Sequence, residues 1–175
     1  MAPTVDYMAF PPIAALEAKI KAGSHEDVVD DMWLNVGSLY FTLADGFTVS
    51  GQSRPRVQSG QKIDVGWRKL VNGNVRVFII EDASYAHKNS GATWDEKRTQ
   101  LKGYLAQTRV AEPNFKKTLF GAVTIGKATQ FFSYPYRQDQ LQPLHDVDKA
   151  FEFKKHQERI DYYLTYIRDQ IKAGA

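Results

Sequence analysis

Apolar residues recur along this chain at two periods, and the switches between them mark out its elements. Ile13, Leu16 and Ile20 fall at helical spacing behind Pro11-Pro12, a pair suited to a first helical turn, and Gly23 stops the run. Ser24 with Asp27 three residues on resembles a capping box. It opens a second helix whose stripe is Val28/Val29, Met32/Trp33, Val36, Leu39/Tyr40 and Leu43. Asp27, Asp30, Asp31 and Asn35 lie largely off that stripe, which predicts a core helix with one wet face.

After the turn signal Asp45-Gly46 the period drops to two. Phe47 to Ser50 reads as a short strand or the start of one, and Gln52 to Gly60 as a polar loop or frayed edge strand. Lys62 to Leu70 alternates, with Ile63, Val65 and Trp67 on one face and Lys62, Asp64 and Gly66 on the other. Asn72-Gly73-Asn74 is a hairpin turn. Val75 to Glu81 follows as the most buried strand, apolar on both faces from Val77 to Ile80. Thr93 and Glu96 form a capping box for a helix to about Arg109 with Leu101, Tyr104 and Leu105 inside, and Glu112-Pro113-Asn114 breaks it. Lys117–Ile125 and Ala128–Tyr134 make a hairpin about Gly126-Lys127, and Pro135–Pro143 is a loop. Asp146 then caps a final helix of about 25 residues, 146–172, carrying Phe153, Ile160, Tyr163/Leu164, Ile167 and Ile171. The order ααβββαββα predicts an α/β fold with a mixed central sheet flanked by helices.

At 175 residues and 43% apolar, the chain suits one domain, 1–175, with its core in about 26–134. The absence of cysteine excludes a disulfide framework and a thiolate zinc site. No apolar run nears the roughly 20 residues of a membrane span, and no secretory signal opens the chain. Both predict an intracellular protein, nuclear or cytoplasmic. Net charge is +3, but residues 1–50 carry −5 and residues 51–175 carry +8. That asymmetry points to a polyanion on the later part, against the alternative of ordinary solubilising charge.

Two carboxylates draw the chemistry together. Asp64 lies on the strand face opposite Ile63, Val65 and Trp67, and Glu81 ends a strand after four apolar residues. Two such groups meeting at one end of neighbouring strands give the hard oxygen ligands that Mg2+ or Mn2+ prefers. A cation held there can activate water and offset charge on a cleaved phosphodiester. The plain alternative is two exposed carboxylates that never meet. Gln100 and Tyr104, four apart, share a helix face.

In order and spacing, Gly60 leading to Asp64, then Glu81, then Gln100 with Tyr104, resemble the PD-(D/E)XK (restriction-endonuclease-like) nuclease superfamily. The likeness is strongest to its RecB-like branch, which carries a Gln-x-x-x-Tyr helix. The hairpin Leu119–Val123 to Gln130–Phe132 resembles the strands that complete that fold, as in many fungal relatives. The resemblance covers about residues 26–134 and implies metal-dependent hydrolysis of DNA or RNA. Asp64 and Glu81 would hold Mg2+ or Mn2+, and Gln100 and Tyr104 would order the site.

One position departs from the pattern. The lysine expected two residues after Glu81 is Ala83, flanked by Asp82 and Ser84, neither of which supplies a cation. Lys97, three residues before Gln100, is the better substitute from the helix; Lys62 and Lys88 are others, and Lys102 lies about 200° around from Gln100. The gap leaves a second reading open, a catalytically degenerate nuclease-fold module that binds nucleic acid or a protein. Arg54, Arg56, Arg68, Lys69 and Arg76 cluster around the first hairpin as candidate phosphate contacts. His87 is the one histidine near Glu81, and Glu26, Asp30 or Asp31 could add an acidic ligand. A homodimer or protein partner through the C-terminal helix completes the expectations.

Overall fold

The computed structural model describes residues 5–21, 26–53, 63–70, 74–83, 91–146 and 149–173. Four helices occur among them: α1 (Pro11–Lys19), α2 (Glu26–Tyr40), α3 (Gly91–Ala111) and α4 (Gln157–Ala173). The strands are β1 (Phe47–Ser53), β2 (Ile63–Leu70), β3 (Asn74–Ala83), β4 (Leu119–Ile125), β5 (Ala128–Tyr134), β6 (Gln142–Pro143) and β7 (Phe151–Glu152). They form one sheet in the order β1-β2-β3-β4-β5-β6, with β7 also paired to β5. All pairs are antiparallel except β3 with β4. That parallel pair needs a crossover rather than a tight turn, and α3 supplies it. The result is the expected mixed α/β architecture, with two two-residue strands added at the far edge.

Aromatic contacts fix which helix covers which face. On one face Trp33 of α2 donates its indole N–H to Thr124 Oγ1 of β4 at 2.8 Å and meets Phe131 of β5 edge-on. Phe131 stacks in turn on Tyr163 of α4. Further along, Trp67 of β2 stacks on Phe78 of β3, and Phe41 packs on both. The approach of α2 to this layer is close enough that a Cβ on Gly37 would lie 2.1 Å from Trp67 Cζ2. On the opposite face α3 packs over β3 and β4. Its Arg98 donates to Gln130 of β5, a neighbour of Phe131 that points the other way.

A buried polar anchor fastens α4 to the rest. Asp161 Oδ1 accepts from Tyr40 Oη at 2.8 Å and from the Val5 amide at 2.9 Å. Burial and then the Asp161 bond push the Tyr40 phenol well above its ordinary value. Tyr7 donates to the Phe153 carbonyl at 2.7 Å. Nothing in the spacing of Asp161 along its helix marks it as an anchor.

The structure corrects three expectations. The final helix runs over Gln157–Ala173 and not 146–172. Phe151 and Glu152 pair with Thr129 and Ala128, His145 has a left-handed φ of 57°, and the Phe153 amide bonds the Lys127 carbonyl. Strand pairing therefore holds this segment out of the helix, and Phe151 and Phe153 belong to a period of two. Thr93 lies inside the first turn of α3, which begins at Gly91, so it is not the cap. Asp30 is buried, at 8% exposure, rather than on a wet face. Strand β1, for which Phe47 to Ser50 is the start, continues to Ser53 as one of the two expected alternatives.

Candidate functional site

The β2–β3 ladder carries Val65 opposite Ile80. Asp64 precedes Val65 on β2 and Glu81 follows Ile80 on β3, so their backbones are the next positions at the same end of two hydrogen-bonded strands. Glu81 pairs across the parallel ladder with Val123, and Val123 pairs with Gln130. The side chains of Asp64 and Glu81 lie outside the described residues. The position of the missing lysine, Ala83, is the last residue of β3, paired with Ile125.

Helix α3, which carries the other predicted residues, packs over β3 and β4. Tyr104 is buried, at 5% exposure, and Gln100 is half-buried one turn before it. The Gln100 Oε1 atom is out of solvent and has no hydrogen-bond partner among the described residues. A buried acceptor of this kind is costly unless something donates to it. Lys97 is half-buried on the same flank, 60° from Gln100 by helical rotation. Lys102 lies on the other flank, where its ammonium stands 3.6 Å from Asp139. Lys62 and Lys88 fall outside the described residues.

The expected basic patch is only partly visible. Arg54 and Arg56 lie outside the described residues, as does the side chain of Arg76, whose backbone pairs with Arg68 beside a bulge. Arg68 is half-buried, with its Nε out of solvent and without a partner among the described residues. Lys69 is engaged within the fold: it donates to the Asp45 carbonyl and sits 4.6 Å from the centre of the Phe47 ring. The Asp45 carboxylate bonds Lys172 of α4 at 2.5 Å, and that bond holds its carboxyl below the usual range.

Other candidates are placed as follows. His25 and His87 fall outside the described residues. His145 packs among Tyr162, Tyr163 and Tyr166, and His156 Nδ1 accepts from the Glu152 amide. On α2, Asp31 is exposed and the Glu26 side chain is outside the described residues. No group of three metal-ligating side chains occurs among the described residues. The apolar stripe of α4 (Ile160, Tyr163, Leu164, Ile167 and Ile171) is buried within the protein's own core. No helix among the described residues is long and apolar enough to cross a membrane.

Sequence reasoning missed a second polar cluster on α3. Arg98 forks onto Gln130 Oε1 through Nε at 3.2 Å and Nη2 at 3.1 Å, and its Nη1 meets Asp95 Oδ1 at 3.1 Å. Gln130 is buried, and the one amide of β5, directly before Phe131 and Phe132, was the available signal. Close by, Tyr134 Oη donates to Asp139 Oδ1 at 2.9 Å, and burial together with that bond pushes its phenol up to about 12.

No family model matches the sequence, and no curated protein matches it. A solved structure that the fold is similar to is the type IIG restriction endonuclease BpuSI, at 13% identity and a TM-score of 0.49. The match covers 99% of this chain and 18% of that one, so this chain spans under a fifth of that protein's length.

Proposed function

We propose that this protein is a nuclease-fold module that holds Mg2+ or Mn2+ against a nucleic-acid phosphodiester and hydrolyses it weakly. The supporting observation is the β2–β3 ladder, in which the positions after the Val65–Ile80 rung are Asp64 and Glu81. Asp64 and Glu81 would hold the cation, which when bound offsets charge on the phosphate and activates water. Tyr104, fixed in the core, and the buried Gln100 Oε1 one turn away supply the ordering of the site from α3. Lys97 on that same flank takes the part of the missing motif lysine.

A second reading, a module that binds nucleic acid without cleaving it, is favoured by Ala83, which leaves the end of β3 without the motif's cation. The two readings share the metal site and differ in turnover. Manganese at about 100 times its dissociation constant should stabilise the fold by about 2.7 kcal/mol, a rise of roughly 5–10 °C in Tm for a chain of this size. Asp64→Ala and Glu81→Ala should abolish that rise. Cleavage of a labelled oligonucleotide that vanishes in Asp64→Ala supports the nuclease; a metal-dependent rise without cleavage supports the binding module. A Tm indifferent to Mn2+ and Mg2+ would remove the metal site altogether.

A further inference from the structure

We propose that Arg98 and Lys102 build a phosphate-binding cleft on the β5 flank of α3 that receives the sugar–phosphate strand of a nucleic acid. The proposal rests on the nucleic-acid reading above and says where the strand runs. Arg98 and Lys102 are four residues apart, about 40° in helical rotation, and so share a flank, whereas Gln100 and Tyr104 lie on the other. Their flank borders a cleft of about 310 Å³ lined by Thr99, Phe132, Gln140, Leu141 and Pro143 as well.

The two cations differ in a way that suits binding. Arg98 is held in place: two of its nitrogens share Gln130 Oε1, a third meets Asp95, and its guanidinium carbon is 5.9 Å from the centre of the Phe132 ring. A guanidinium positioned this way loses little further freedom when it meets a phosphate. Lys102 is exchangeable. Its 3.6 Å pair with Asp139 is exposed, with the carboxylate side chain at 83%, and such pairs hold weakly. When Lys102 turns to a phosphate, Asp139 keeps the Tyr134 hydroxyl.

The cleft is also tied to the carboxylate end of the sheet. Gln130, which holds Arg98, is opposite Val123, and Val123 is beside Glu81, so the row crosses two strand spacings of about 4.8 Å each. A strand lying over the N-terminal half of α3 would span both. Asp95 and Asp139 oppose an anion here, but both are exposed and screened by salt. The walls formed by the half-buried Leu141 and Pro143 offer apolar surface to sugar faces, which an acidic peptide would use less well. The +8 balance of residues 51–175 favours the same ligand.

The test measures binding of labelled single-stranded and duplex oligonucleotides across a salt series, with EDTA present to stop cleavage. Arg98→Gln with Lys102→Gln should lower the slope of log Kd against log salt by about 1.4–1.8, one phosphate contact per cation. Arg98→Lys should restore part of it. Lys154→Gln with Lys155→Gln, in an exposed turn away from the cleft, should leave the slope as it was. Lys102→Gln touches none of the Gln130 bonds, so it reports even where Arg98→Gln loosens α3. An unchanged slope in the Arg98/Lys102 variants while the unaltered protein binds overturns the cleft alone. Polyglutamate competing as well as the oligonucleotide overturns its assignment to phosphate. No oligonucleotide binding by the unaltered protein overturns the cleft and the nucleic-acid reading together, and the manganese shift in Tm then reports separately on Asp64 and Glu81.

Discussion

Gly37 and Trp67 define how close α2 can come to the sheet. A methyl group at position 37 meets the indole at 2.1 Å, so Gly37→Ala forces the helix outward or the ring off its stack with Phe78. Urea unfolding should show a loss of about 1–3 kcal/mol, the usual cost of overpacking. At Tyr134 the fold favours the neutral phenol, which raises its pKa from 10 to about 12. Its contribution is therefore intact below pH 10 and fades as pH rises through that value towards 12. Tyr7, Tyr40 and Tyr163 are raised as well and act in the same direction. The urea midpoint should fall above pH 10, and Tyr134→Phe should make that fall shallower. These residue-scale effects were not legible beforehand, because they depend on contacts such as Tyr134 with Asp139 that only folding creates.

Among the elements, α3 depends on how its C-terminal end is fastened. Arg109 donates to the carbonyls of Phe115, Lys117 and Tyr134, and burial lowers its pKa. Those bonds join the helix to the connection that leads into β4. Arg109→Ala should cost about 2–3 kcal/mol, read from the urea midpoint, because several carbonyls lose a charged donor at once. Most elements were legible from periodicity. Of the α2 stripe, Val29, Met32, Trp33, Val36 and Tyr40 are buried and Val28 and Leu39 half-buried, but Leu43 lies in a 3-10 turn beyond the helix and is 81% exposed, against its spacing. The later hairpin turns at Gly126 with a positive φ of 59°. The segment 146–156 was misread because Phe153 and Ile160, seven apart, mimic a helical stripe. Pairing with β5 was the stronger force there, and a long-range partner leaves no local signature.

At the scale of the whole molecule, three separate segments contribute to the proposed site: β2, β3 and α3. The order of the elements made the pairing of β2 with β3 and the packing of α3 over β3 and β4 legible, because a hairpin followed by a crossover helix leaves few topologies. What the motifs could not convey was the second flank of α3, where Arg98 depends on Gln130, 32 positions later. The missing cation gives the sharpest functional prediction. Ala83→Lys places an ammonium at the end of β3 and should raise oligonucleotide cleavage by about 100-fold, the scale of one charge-stabilising donor in a transition state. Cleavage that stays at the level of Asp64→Ala would leave a binding module.

The Val5 amide and the Asp161 carboxylate are 156 positions apart. During synthesis the bond from the Val5 amide must therefore wait until Asp161, the fifth residue of α4, has been delivered. A chaperone that shields the Tyr7 ring, whose hydroxyl waits for the Phe153 carbonyl, should raise the yield of native protein, while early release should leave that ring open to self-association.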